Sequence, residues 1–157
     1  MTYQVVDMIG PDIQNVDTVQ QYNIGMRCKA LHEVYGAGDF VYLRGVAGTL
    51  VGDAVVYDEN GQTTRAVAAS RGTVAVAVQP VLANQFGWYQ VQGLGPVRAT
   101  TVVADSRPYL TATAGQLDDT VAAGQAIDGM RFQSADGVPS AGLALAILNY
   151  PMANGNG

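Results

Sequence analysis

One histidine, one cysteine and one tryptophan are all that 157 residues offer of these three versatile side chains, and charge is scarce as well. The lone His32 all but excludes a metal-binding jelly roll or a zinc hydrolase, whose sites draw on two or three imidazoles. The lone Cys28 rules out an intrachain disulfide framework and fits assembly in a reducing cytoplasm. Charged residues make up 13%, against roughly 25% in an average soluble domain. The eight basic residues are scattered and the net charge is −5, so the concentrated basic patch needed for phosphate binding is missing and nucleic acid is not an expected partner. No apolar run approaches the ~18 residues of a membrane span, so no membrane partner is expected. The opening MTYQVVDMIGPD has no basic region followed by an apolar core, so export by the usual route is not expected either.

What is present is 48% apolar residues and 19 glycines in 16.4 kDa. That is enough for one domain with its own core, without disulfides or metal. So low a charge density suggests a surface partly covered by other subunits, although the Ala- and Gly-rich composition contributes to the same figure.

Residues 1–35 differ from the rest. Val5, Val6, Ile9, Ile13, Val16 and Val19 fit neither a helical nor a strand period, Pro11 interrupts them, and a polar QNVDTVQQYN stretch follows. The segment reads as an extended N-terminal arm, or alternatively as an edge strand plus loop. Deleting residues 1–20 is expected to leave the remaining core folded. Residues 36–150 carry regular strand signals. Phe40–Leu43 is aromatic and β-branched. Val55–Tyr57 leads into Asp58-Glu59-Asn60-Gly61, where Asn-Gly signals a type I′ hairpin with a partner strand over Thr63–Ala68. Thr73–Val78 alternates large and small apolar groups, as in the tapering interior of a small barrel. Trp88–Gln92 alternates as a strand with one wet face does. Val97–Val103, Tyr109–Thr113 and Leu143–Leu148 read as further strands. Leu117–Ala123 is the one helical suspicion, with Asp118 or Asp119 as its N-cap. Residues 151–157 read as a frayed tail. The fold class expected is all-β: a small barrel or sandwich with Gly-rich turns.

The inventory of reactive groups is thin. No G-x-S-x-G elbow supports a Ser-His-Asp arrangement around His32, which reads as a partly exposed polar residue beside Glu33. Arg27 and Lys29 would depress the Cys28 thiol pKa, but a small semi-buried thiol is the plainer reading. Asp118-Asp119 converges poorly on an extended chain, because neighbouring side chains point in opposite directions. Asp58, Glu59 and Asp136 lack the spacing of a calcium loop, and Gly93-Leu94-Gly95-Pro96 fails the dinucleotide pattern at the third glycine. Trp88-Tyr89 reads as a core or subunit-interface anchor, with a ligand-stacking platform as the rival. No catalytic residue, cofactor or metal site is expected.

Three segments carry a resemblance: Gly38-Asp39-Phe40 with Tyr42-Leu43 and Gly45-Val46, then Gly52-Asp53 with Val55 and Tyr57, then Gly87-Trp88 with Gln90-Val91 and Gly93. Over about Gly36–Gly93 the chain resembles the capsid decoration, or cement, proteins of tailed bacteriophages. The resemblance implies a β-rich, non-enzymatic virion protein, often a homotrimer, made in the host cytoplasm. Such a protein binds the major capsid protein on the outer shell at threefold and quasi-threefold positions and reinforces it. Another head or tail component, such as a head-fibre base, is the alternative, and a small ligand-binding β-barrel is a third. Interface candidates are Val5, Ile9, Ile13, Tyr22, Tyr35, Trp88 and Tyr89.

Overall fold

Among the described residues there is no helix, and eleven strands build the molecule. The computed structural model describes residues 3–5 and 11–154, with backbone alone for Gln4 and Val5. Nine strands form one curled antiparallel sheet, and two short ones form a second. The chain is all-β, as composition and turn chemistry require.

The curl is organised by β7 (Phe86–Arg98), the longest strand. One edge of β7 takes β3 (Gly36–Arg44), followed outward by β2 (Arg27–His32) and β1 (Tyr3–Val5). The opposite edge is shared. β6 (Gly72–Ala77) pairs with it at Gln90 and Tyr89, and β11 (Leu143–Ala153) pairs with it from Gln92 to Arg98. Beyond β6 lie β4 (Ala54–Tyr57) and β5 (Thr63–Arg65). A parallel bridge then joins Arg44 to Gln62. There the Arg44 N–H donates to Gly61 O at 2.9 Å, and the Thr63 hydroxyl donates to Arg44 O at 2.6 Å. The order β3-β7-β6-β4-β5 thus curls back on itself.

Side-chain alternation then decides what fills the curl. Val41 and Leu43 of β3, Val55 of β4, Ala75 and Ala77 of β6, and Tyr89 and Val91 of β7 point inward as one cluster. The intervening residues are buried too, in separate layers outside. Val74, Val76 and Ala54 join β11 and β10 (Ile127–Phe132) in a second core, capped by the small sheet of β8 (Tyr109–Leu110) and β9 (Leu117–Asp118). Phe40, Tyr42 and Trp88 pack with Ile13 in a third. The large-small alternation of β6 therefore serves two cores at once, valines to one and alanines to the other.

Several expectations change at this point. Trp88–Gln92 has no wet face: Trp88, Tyr89, Gln90 and Val91 are all buried, because residues 13–24 cover the side that alternation alone would leave in water. The described residues among 1–35 are accordingly not a detached arm. They contribute β1 and β2 to the main sheet, and Ile13 to the third core. The tail boundary at 151 also shifts, since β11 continues to Ala153 with Pro151 and Ala153 buried. Leu117–Ala123 is a two-residue strand followed by a turn. Asp118 accepts from Thr120 N–H at 3.2 Å, a local bond of capping type with no helix to cap, whereas Asp119 accepts from the distant Val103 N–H at 2.9 Å and ties two loops together. The Asn60-Gly61 turn is not type I′. Gly61 alone has positive φ (+73°), its N–H donates to Asp58 O at 3.0 Å, and the Asp58 carboxylate accepts from Asn60 and Gln62. That is a type I turn closed by a left-handed glycine, and the Asp58 side chain selects it.

Candidate functional site

His32 ends β2, and the hairpin turn that follows folds back over its ring. Its Nδ1 accepts two backbone N–H groups, from Val34 at 3.0 Å and Tyr35 at 3.1 Å. The proton of the neutral ring therefore sits on Nε2. Tyr35 stacks on the imidazole at 4.3 Å between centroids, and Tyr3 meets it edge-on at 4.6 Å. His32 is only 3% exposed, which corrects its reading as a partly exposed residue. Burial lowers its pKa from the ordinary 6.5, with Glu33 opposing only in part. This arrangement positions a hairpin, and it places no nucleophile against the ring.

Beside this aromatic group lies a cleft of about 320 Å³. Tyr3, His32 and Tyr35 form one wall, Val51 and Leu143 another, and Gln90 lines it from β7. Among the described residues no charged side chain lines it. Gln90 is 2% exposed, and its amide nitrogen donates to Gln92 O and Leu94 O, both at 3.2 Å. Its carbonyl oxygen lies over Gly95, where a Cβ would overlap it. Gly95 thus makes room for the end of the Gln90 side chain, while Gly93 takes a positive φ of +102° close against Ala37 O of β3.

The other polar centres are structural ties. Asp53, with no exposed surface, accepts from Arg65 Nε and Arg98 Nη1, each at 2.7 Å, and from Leu50 N–H at 2.9 Å. Both arginines also donate to Ala114 O, at 3.0 and 3.3 Å, so one carboxylate gathers β5, β7 and the loop before β9. On the face beside Cys28, Lys29 pairs with Asp39 at 3.2 Å and the Tyr150 hydroxyl donates to the same carboxylate. Burial alone would raise the Asp39 carboxyl, but the hydrogen bonds from Tyr150 and Lys29 outweigh it and hold the pKa below its ordinary value. A broader groove of about 550 Å³ runs along β10 and β11, with Arg107 paired to Asp128 and Arg131 Nη1 donating to Asp105 O. Among the described residues no three His, Cys, Asp or Glu side chains converge as metal ligands.

The interface candidates scatter. Trp88 (1% exposed), Tyr89 and Ile13 are interior and cannot touch a partner while the chain is folded. Strand alternation predicts a second face for Trp88 and Tyr89 but not that this face is covered. Tyr22 is half-buried against Tyr42 and Trp88, and Tyr35 is half-buried on His32. Val5 lies in β1 with its side chain outside the described residues, as is the whole of Ile9. Among the described residues the most exposed large apolar side chains are instead Val19, Val34, Val103 and Val121, all outside the strands and all more than 60% exposed. Val103 and Val121 flank the tie between Val103 N–H and Asp119. Their only sequence signal is a β-branched residue placed among turn formers.

No protein-family model matches the chain, and no curated protein matches it.

Proposed function

We propose that the chain is a structural virion protein that binds the outer surface of a bacteriophage capsid shell and stabilises it, acting as a homotrimer. The observation that carries this reading is the placement of Val19, Val34, Val103 and Val121. These β-branched residues stand in water between the strands of a chain with few charges, where assembly onto another protein would remove them from it. The resemblance to decoration proteins supports it further. The segments that carry it include parts of β3, β4 and β7, strands of the curled sheet, and the aromatics Phe40, Tyr42 and Trp88 within them serve packing. The one histidine is held by two backbone donors and two tyrosine rings, a positioning role. Many copies on one shell would convert modest individual contacts into large collective stabilisation.

The test is to add the purified chain to expanded shells that lack it and to sediment them. Saturable binding with a raised shell melting temperature supports the reading. Protein left in the supernatant at saturating concentration overturns it. Binding at the head vertex or tail, and not across the shell, assigns it to a head-fibre base or tail part.

A further inference from the structure

The cleft beside His32 presents two hydrogen-bonding atoms that open onto it and have no partner among the described residues. The first is Gln90 Oε1. The amide nitrogen of Gln90 is fixed by the Gln92 and Leu94 carbonyls, so the NH₂ must face them and the oxygen must face away. The oxygen receives no donor from the described residues, although the residue is 98% shielded. The second is His32 Nε2. With Nδ1 accepting from Val34 and Tyr35, Nε2 carries the proton and has no acceptor. Neither atom is sealed inside the protein, and both residues line the same cleft. An acceptor and a donor that open onto a cleft are completed there by water or by a ligand.

We infer that this cleft is a binding site for an uncharged amide carried on an apolar or aromatic body. The amide N–H donates to Gln90 Oε1, and the amide carbonyl accepts from His32 Nε2–H. Tyr3 and Tyr35 supply the aromatic wall, and Val51 and Leu143 supply the aliphatic one. The class follows from three properties. The described lining residues carry no charged side chain, so among them an ionised ligand would find no counter-charge for the hydration it loses. The two unpartnered atoms offer a ligand one acceptor and one donor in the same cleft. The volume of about 320 Å³ lies within the range of small-ligand pockets. The amide can belong to a free small molecule or to a peptide segment. The site is independent of the shell-binding reading, and either can fail without the other.

The experiment is a titration of the isolated full chain followed by ¹H–¹⁵N NMR of the Gln90 side-chain amide and the His32 ring. The probes are benzamide, as a free amide, and N-acetyl-L-phenylalanine amide, as a peptide unit. N-acetyl-L-phenylalanine, which is anionic, serves as the charged control. Saturable shifts at Gln90 and His32 with the neutral probes, and at least about tenfold weaker binding of the anion, are the expected result. The tighter of the two neutral probes identifies the source of the amide. Gln90→Leu removes the acceptor and should weaken binding about tenfold, the equivalent of one hydrogen bond. Should Gln90→Leu fail to fold, Val51→Arg at the exposed mouth blocks entry without touching either polar atom. No saturable shift at either residue, or undiminished binding by the folded variants, overturns the inference.

Discussion

The Tyr42 hydroxyl donates to Asp17 Oδ2 at 2.6 Å, joining two buried side chains 25 positions apart in the chain. Asn15 Nδ2 donates to the other carboxylate oxygen, also at 2.6 Å. The Asp17 backbone meanwhile exchanges both hydrogen bonds with Phe86, at 2.8 and 2.9 Å. Residues 13–24 are thereby stitched onto β3 and β7 and cover Trp88. Burial first, and then the bond to Asp17, push the Tyr42 hydroxyl pKa up to about 12, so it remains a donor throughout the neutral range.

Deleting residues 1–20 therefore destabilises the core, where the sequence alone predicts a removable arm. It takes away Ile13 and Asp17 and uncovers the third core. Ile13→Ala should cost about 2–5 kcal/mol, and Tyr42→Phe about 1–3 kcal/mol because Asp17 keeps its burial and loses a donor. Urea unfolding of each variant measures both, and an unchanged midpoint would show the segment to be loosely attached.

Trp88→Ala should cost roughly 3–5 kcal/mol, as for a large aromatic deleted from a packed interior. Because Trp88 is covered within the chain, the loss should appear in the unfolding midpoint at every protein concentration. A loss seen only as dissociation of an oligomer would place Trp88 at a subunit interface instead.

Asp53→Ala should cost about 3–5 kcal/mol, since it strands two arginines around a buried position. Asp53→Asn keeps the shape but removes the charge, and should fall between wild type and Ala. Thermal unfolding ranks the three; equal melting temperatures would contradict the tie that Asp53 makes among β5, β7 and the loop at Ala114.

Stability should fall as pH drops below about 6.5. Burial depresses the His32 pKa in the folded chain relative to the unfolded one. The unfolded state therefore binds the proton first, and folding free energy is lost from the unfolded pKa down through the folded one. Protonation would also turn Nδ1 into a donor against two N–H groups. The melting temperature from pH 7.5 to 5.5 should decline in the wild type and flatten in His32→Gln. Parallel curves would mean that another group carries the dependence.

Several strands were legible, because Val, Tyr and Phe runs bounded by glycine leave few alternatives: β3, β4, β6, the first half of β7 and the first half of β11 fall where alternation places them. Val97–Val103, by contrast, is no strand of its own but begins at the end of β7, and β10 was not read from the sequence. What covers them was not. Alternation at Trp88–Gln92 reports two faces, but that both are buried depends on residues 13–24 arriving from a segment with no period of its own. The Asp58 turn escaped for a related reason. Asn-Gly marks a reversal, and only the carboxylate two residues earlier decides its type. The cleft had no linear signature, since His32 and Gln90 meet through pairing of β2, β3 and β7, and each reads in sequence as an ordinary polar residue of a strand.

If the chain self-associates as proposed, light scattering after size exclusion should give about three times 16.4 kDa. A monomer in solution that becomes trimeric only on shells would move the driving force to the shell surface.

The most direct test of shell binding is a cryo-electron-microscopy reconstruction of intact particles from the virus that encodes the chain, compared with particles lacking it. Density for the curled sheet on the outer face of the shell, at threefold and quasi-threefold positions and absent from the deletion particles, is the predicted result. Identical shells in the two maps would contradict it.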